Sequence, residues 1–375
     1  MVQKRIGNER CFWIKKQNTE SHPWSQRNSF FFASGREALI ALFDSLNLLA
    51  GDTVLLPAFV PEGIIAPCRA KRLVTQFYPL DSNLDPDWER LTESVTISSP
   101  KIAVLIHHFG IRRDAIKFNT ICHQNGVLVL EDLAQAQVLK ECDLGRECDF
   151  LLHSLTKIVG VTDGAILQVK DTLYPQYNKF RSFDIRRIVY ISLNFCQLLI
   201  NTASRHFGSY TFWRYFLKII GPFLNSYRFL MWYYIHPTKM SFLSKLLLNR
   251  FPWSDAVKKR LNNEKLYREK LDRTVFRHLG QTEESGHCAM GYAVIVKDRE
   301  NLVSTLASSG IYGIWFEYKW DYFPPERIHD RARWVMKHHF LFPTSYSLSE
   351  SEVSKVISVA NEWAMNEEKA VPMFN

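Results

Sequence analysis

The chain has 375 residues, 46% of them hydrophobic and 23% charged, which is ordinary for a folded protein and long enough for about two domains. No low-complexity tract or internal repeat is visible, which excludes a solenoid. The net charge is +9, and residues 171–250 alone hold eleven Lys/Arg against two Asp/Glu, so the remainder sums to about neutral and the basicity belongs to one segment. Seven cysteines without a CxxC pair argue against a disulfide framework and a structural zinc site, and fit reduced thiols in a cytosolic protein. The first twenty residues are polar and basic, so no secretory signal is expected.

Helix and strand signals alternate from the start. Ser34-Gly35 precede apolar residues at helical spacing (Ala38, Leu39, Ala41, Leu42, Leu46), which predicts a helix. The Gly51-Asp52 turn leads into a strand, Thr53-Val54-Leu55-Leu56, stopped by Pro57. A helix over 64–71 and a strand over 74–78 follow. Residues 103–106 read as a buried strand, 114–125 as a helix closed by Gly126, and 127–130 as a second buried strand. Short apolar strands separated by helices predict an α/β fold with a mostly parallel sheet covered on both faces. In such sheets chemistry gathers at the carboxyl ends of the strands, where Phe59, His107 and Asp132 fall.

Residues 171–250 have a different character, with 19 of the chain's 51 aromatic residues. Ile188, Ile191, Phe195, Leu198 and Thr202 keep a helical spacing, and an apolar run over 212–235 is broken by Gly221-Pro222. After Pro252 the composition returns to normal. A charged amphipathic helix is expected over 255–271, a strand over 292–296 and a helix over 299–308. A last helix is expected over 345–363, opened by a Ser347/Glu350 cap. The domain division drawn from this is a large domain over 1–254, with a basic aromatic insertion at about 171–250, and a smaller C-terminal α/β domain over 255–375.

Four local features could carry chemistry, and each has a plainer reading. Ser34-Gly35-Arg36-Glu37 opens a helix, where free amides and the helix dipole suit a phosphate, although most such starts are only caps. Asp132 follows a buried strand, where a carboxylate can hold a ring N–H or merely cap the next turn. Lys157, in Ser154-Leu155-Thr156-Lys157, has an apolar neighbourhood that can lower its pKa and make it a nucleophilic amine; a surface lysine is the ordinary alternative. Phe59 could lie over a flat ring, or be core.

Together, in this order and spacing, these residues resemble the DegT/DnrJ/EryC1/StrS family of sugar aminotransferases dependent on pyridoxal 5'-phosphate (PLP), in the fold type I (aspartate aminotransferase-like) superfamily. The resemblance rests on SGREAL (34–39), GDTVLLPAF (51–59), Asp81 after Tyr78-Pro79-Leu80, HHFG (107–110), EDLAQA (131–136) and SLTK (154–157). VIVKDRENLVSTLASSGI (294–311) looks like the family's small-domain strand and helix, while 171–250 matches poorly. It implies a three-layer α/β/α large domain and a smaller C-terminal α/β domain.

The resemblance also implies roles. Lys157 would carry the cofactor as a Schiff base and move the reacting proton. Asp132 would hold the pyridine nitrogen and Gln135 the phenolic oxygen. The backbone of Gly35, Arg36 and Glu37 would bind the phosphate, with Ser154 as hydroxyl donor, and Phe59 or His107 would sit near the ring. The implied reaction moves an amino group from an amino acid, glutamate by analogy, to a keto-sugar. A nucleotide-linked sugar for surface polysaccharide or a secondary metabolite is the expected acceptor, with a homodimer as the assembly. No metal is expected.

The sequence departs from the family's pattern in three places. Leu152 stands where the family usually has Ser, the glycine-rich stretch after the lysine is reduced to Thr162-Asp163-Gly164, and no Asn-Tyr-Arg-Met segment is recognisable near Phe251-Pro252-Trp253-Ser254. The basic aromatic segment reads as a dimer interface with core or, more sharply, as amphipathic helices resting on the inner face of a membrane. Nucleic acid is not an expected partner, since no recognition module accompanies the cations. The competing functions are a PLP enzyme acting on a lipid-linked or other non-sugar acceptor, a sugar dehydration in the same fold, and a non-catalytic membrane scaffold. Retention of Lys157 favours transamination over dehydration, and retention of both Asp132 and Lys157 weighs against a scaffold.

Overall fold

Aliphatic runs alternate with amphipathic helices, and they assemble into one sheet between two helical layers. The structure, a computed structural model, describes residues 6–7, 10–12, 24, 28–139, 142–170, 185–207, 221–223, 226, 236–280, 287–317 and 330–366. Its main sheet contains β1 (Asn28–Phe32), β2 (Thr53–Pro57), β3 (Val74–Tyr78), β4 (Ile102–Ile106), β5 (Leu128–Asp132), β7 (Phe150–Ser154) and β8 (Ala165–Val169), in the order β1-β8-β7-β5-β4-β2-β3. β2, β3, β4, β5 and β7 run parallel, and β8 is antiparallel to both β7 and β1.

Side chains alternate across each strand, so the sheet feeds two cores. On one face Val54, Leu56, Val104, Leu130 and Leu152 meet the apolar sides of α1 (Gly35–Ser45) and α2 (Glu62–Ala70). On the other, Leu55, Leu105, Val129 and Leu151 meet α3 (Trp88–Ser98) and α4 (Ala115–Gln124). This is the expected mostly parallel α/β sheet.

The chain continues through α5 (Ile185–Phe207), α6 (Phe242–Asn249) and α7 (Trp253–Lys270). A small antiparallel sheet follows, of order β12-β11-β9, from β9 (Arg277–His278), β11 (Tyr292–Ile295) and β12 (His339–Phe342). Its remaining elements are α8 (Arg299–Ser308), α9 (Asp330–His338) and α10 (Glu350–Met365). Tyr267, Val294, Leu302, Phe342 and Val353 form its core. A ribbon joins the two layers: β10 (His287–Ala289) pairs antiparallel with β6 (Ala136–Val138), just beyond Asp132.

Several boundaries differ from expectation. The division drawn at 254/255 falls inside the first turn of α7, whose Trp253 Nε1–H donates to the Val138 carbonyl at 2.6 Å. The last helix starts at Glu350, not near Ser345. Its capping box is Ser349 with Glu352, because Leu348 is fully buried and Ser345 closes a local turn on Ser347. β1, α3, β7, β8 and β12 had no clear signal of their own. Apart from 221–223 and 226, the apolar run at 212–235 lies outside the described residues. Among the described residues no helix is long and apolar enough to cross a membrane.

Candidate active site

Asp132 is the last residue of β5 and is 4% exposed. Its register partners are Ile106 on β4 and Leu152 on β7, so all three project from the same face, the face covered by α1. One carboxylate oxygen accepts the Ala134 N–H at 2.6 Å, and the other makes no hydrogen bond among the described residues. Burial raises the Asp132 pKa, and the Lys157 ammonium, the Ala134 N–H and His107 oppose that rise. A buried carboxylate with an open oxygen is a site for a cationic N–H donor.

Lys157 closes the 3-10 turn Leu155–Lys157 that follows β7. Its side chain is accessible to solvent. Burial nonetheless lowers its ammonium pKa, with Asp132 pulling the other way. The lysine is thus within electrostatic reach of the Asp132 carboxylate. A lowered pKa eases deprotonation to the nucleophilic free amine.

The start of α1 completes the face. The Ser34 Oγ caps Glu37 N–H, and intrahelical bonding begins with Ala38 N–H to the Ser34 carbonyl. The first-turn amides of Gly35 and Arg36 therefore point out of the helix at its positive end. Gly35 packs against Leu152, where an added Cβ would lie 3.7 Å from Leu152 Cδ2. Ser154, two residues beyond Leu152, projects from the same face and is half-buried, and its hydroxyl makes no capping bond. Amide donors, a hydroxyl, an amine and a carboxylate thus converge on one face. This donor set fits a ligand with an anionic phosphate and a protonated ring nitrogen.

Other candidates lie elsewhere. Phe59 and His107 are 0% exposed, and a side chain without accessible surface cannot touch a bound molecule in this conformation. Phe59 packs in the opposite core against His108, Phe109 and His339. The His107 Nδ1 accepts the Arg113 N–H at 3.1 Å, which puts the ring proton on Nε2, facing the Glu131 carboxylate at 3.3 Å. Phe59 and His107, expected near the cofactor ring, are buried here on the other side of the sheet: strand alternation turns Glu131 and His107 to the α4 side while Asp132 faces α1. Gln135 is 5% exposed, and its Oε1 accepts the Phe109 N–H, which leaves its NH2 group as the part able to meet a ligand oxygen. The Glu37 carboxylate is ion-paired with Arg187 of α5, a contact the sequence did not signal.

The site is braced from behind. Glu131 also accepts Asn119 Nδ2–H and Gly145 N–H, each at 3.1 Å. Burial raises its pKa, but the His107, Asn119 and Gly145 hydrogen bonds outweigh burial and leave it below the ordinary value. Gly110 has a left-handed φ of 87°, and a Cβ there would stand 2.4 Å from the Gln135 carbonyl and 2.6 Å from Ala289 Cα. The reduced glycine stretch is also structural: Asp163 accepts Ser241 Oγ–H at 2.6 Å and Ser241 N–H at 3.1 Å, anchoring the start of α6.

Comparison with known proteins bears on the fold and on the segment that holds these residues. The family model for class-V aminotransferases matches residues 27–183, which include α1, Asp132 and Lys157. A pleiotropic regulatory protein from Geobacillus stearothermophilus is 23% identical over 168 residues, a match covering 42% of this chain and 44% of that protein. A putative sugar aminotransferase from Streptococcus pneumoniae, solved in its PLP form, superposes with a TM-score of 0.64 at 13% identity, covering 92% of each chain. A DegT DnrJ EryC1 StrS aminotransferase from Brucella abortus superposes with a TM-score of 0.60 at 14% identity, covering 89% of this chain and 85% of that one. The chain therefore has the fold of the PLP-dependent sugar aminotransferases, and its segment 27–183 carries the class-V aminotransferase pattern.

Proposed function

We propose that this protein is a PLP-dependent aminotransferase that moves an amino group from an amino acid, glutamate by analogy, to a keto-sugar carried on a nucleotide. The observation that carries this reading is the convergence of the α1 N-terminus, Asp132 and Lys157 on one sheet face. Bound there, PLP would supply an electron sink for cleavage at the donor's amino-bearing carbon. Asp132 would accept the ring N–H on its open oxygen, pairing the buried carboxylate with a cationic donor. The first-turn amides of α1 and the Ser154 hydroxyl would hold the phosphate, and the Gln135 NH2 would donate to the ring oxygen. Lys157, with its lowered pKa, would serve as nucleophile and then shuttle the proton. His107, Glu131 and Phe59 would hold the strand ends in place without touching the ligand.

The family resemblance implies a homodimer and small-molecule substrates as the working arrangement. A second reading adds peripheral contact with an anionic membrane face, which the exposed Ile188, Val189 and Leu199 of α5 in a basic segment favour. Pelleting with anionic but not neutral vesicles is the expected sign, and equal pelleting with both would refute it. The main proposal is tested with 15N-glutamate and a panel of nucleotide-linked keto-sugars. Mass spectrometry should find 15N in an amino-sugar product and release of 2-oxoglutarate. Transfer to none of the sugars, with transfer to a lipid-linked keto acceptor, would replace the sugar reading with the alternative one.

A further inference from the structure

We infer that Arg187 is a positioning residue for the cofactor phosphate and acts through Glu37. It neutralises a carboxylate buried in the first turn of α1, and so lets the positive end of that helix receive a dianion. The inference rests on the cofactor reading above.

Three observations carry it. First, Glu37 is in the first turn of α1 and is 1% exposed. A carboxylate there enjoys the helix dipole, but it competes with a phosphate for the same positive end and repels it. Second, Arg187 is 6% exposed and meets Glu37 in an ion pair. It comes from α5, in the segment where the chain departs most from the family, beyond the matched residues 27–183. Third, the residue beside this helix start is Leu152, whose side chain packs on Gly35 and offers no hydroxyl. With one donor fewer, the phosphate depends more on the charge balance of the first turn.

The geometry of α5 makes the contact specific. Arg187, Tyr190, Asn194 and Leu198 fall on one inward face of the helix. Thr202 Oγ1 accepts Phe12 N–H at 2.9 Å, and Asn201 Nδ2–H donates to the Arg10 carbonyl at 3.2 Å, so the helix is anchored at its far end too. Arg187 is therefore held where its charge meets Glu37 at the α1 start.

The test compares PLP with pyridoxal, which lacks the phosphate, by absorbance titration of the full chain. Arg187→Ala should weaken PLP by at least about tenfold, the scale of one uncompensated nearby charge, and leave pyridoxal unchanged. Adding Glu37→Gln to that variant should restore most of the PLP affinity. Arg187→Lys, which keeps the charge, should bind PLP like the parent, and it carries the test with Glu37→Gln if Arg187→Ala does not fold. Equal weakening of both ligands, or no rescue by Glu37→Gln, would overturn the inference and leave a structural ion pair. If the parent itself binds neither ligand, the cofactor reading fails first, and the inference with it.

Discussion

Removal of the Glu131 carboxylate tests the brace behind the site. In Glu131→Ala the His107 Nε2–H at 3.3 Å and the Asn119 and Gly145 N–H groups at 3.1 Å lose their acceptor in a fully buried place. Each stranded donor costs about 1–3 kcal/mol. Partial relaxation leaves an expected loss of about 3–5 kcal/mol, a large share of a typical domain's ~5–15 kcal/mol. Glu131→Gln retains one acceptor oxygen but turns an NH2 group toward donors, and His107 cannot answer by shifting its proton, because Nδ1 is already held by Arg113 N–H. That variant should lose about 2 kcal/mol. Urea unfolding followed by circular dichroism measures both. The pH dependence adds a signature: the folded pKa of Glu131 is depressed, so its contribution is present above the unfolded carboxyl pKa and is lost as pH falls through the folded value. The penalty of Glu131→Gln should therefore shrink in acid. A loss below about 1 kcal/mol in Glu131→Ala would refute the network.

Gly110→Ala would drive a Cβ into the Gln135 carbonyl and Ala289 Cα at a left-handed φ, both backbone obstacles. It should lower the unfolding midpoint by an amount equivalent to at least about 2 kcal/mol and weaken PLP uptake, because Gln135 and the β6–β10 ribbon must both shift. A fully stable, PLP-binding variant would contradict this. Glu264 is buried, accepts Ala289 N–H at 2.9 Å, and has its pKa pushed up by burial to about 8. Its folded pKa lies above the unfolded one, so its contribution is complete at low pH and is lost as pH rises from about 4.5 to about 8. Glu264→Gln should therefore gain stability relative to the parent as pH rises through that window in guanidinium titrations, and parallel pH profiles would exclude the assignment.

Much of this was legible in the sequence because its cause is local. β2, β4 and β5 are runs of aliphatic residues buried on both faces, and such runs announce themselves. Asp132 could be named because it ends the buried aliphatic run of β5, and Lys157 because its neighbours are apolar and it falls after EDLAQA in the order of motifs. The Ser34 cap was legible because apolar residues at helical spacing follow it. What escaped depends on distance. β1 and β8 pair through Phe30, Phe31 and Ile166, residues that are 130 or more positions apart, and neither run stands out alone. Glu37 was expected to contribute backbone to the phosphate site; that its side chain meets Arg187 on α5 is a fact of tertiary packing. Phe59 and His107 were placed near the ring because they sit at strand ends. Alternation decides which way a strand-end side chain faces, and a one-residue offset from Asp132 turns His107 to the other core. The cap of α10 was misplaced by two residues because SLSESE offers two Ser-x-x-Glu frames, and burial of Leu348 selects the second.

The central claim is that Lys157 and Asp132 form a PLP site, and the visible absorption spectrum of the purified protein with added PLP tests it most directly. The account predicts a long-wavelength band in the parent that is absent in Lys157→Ala, red or blue shifted in Asp132→Asn, and bleached on addition of glutamate. A parent protein that develops no band, or a band that survives unchanged in Lys157→Ala, would contradict it.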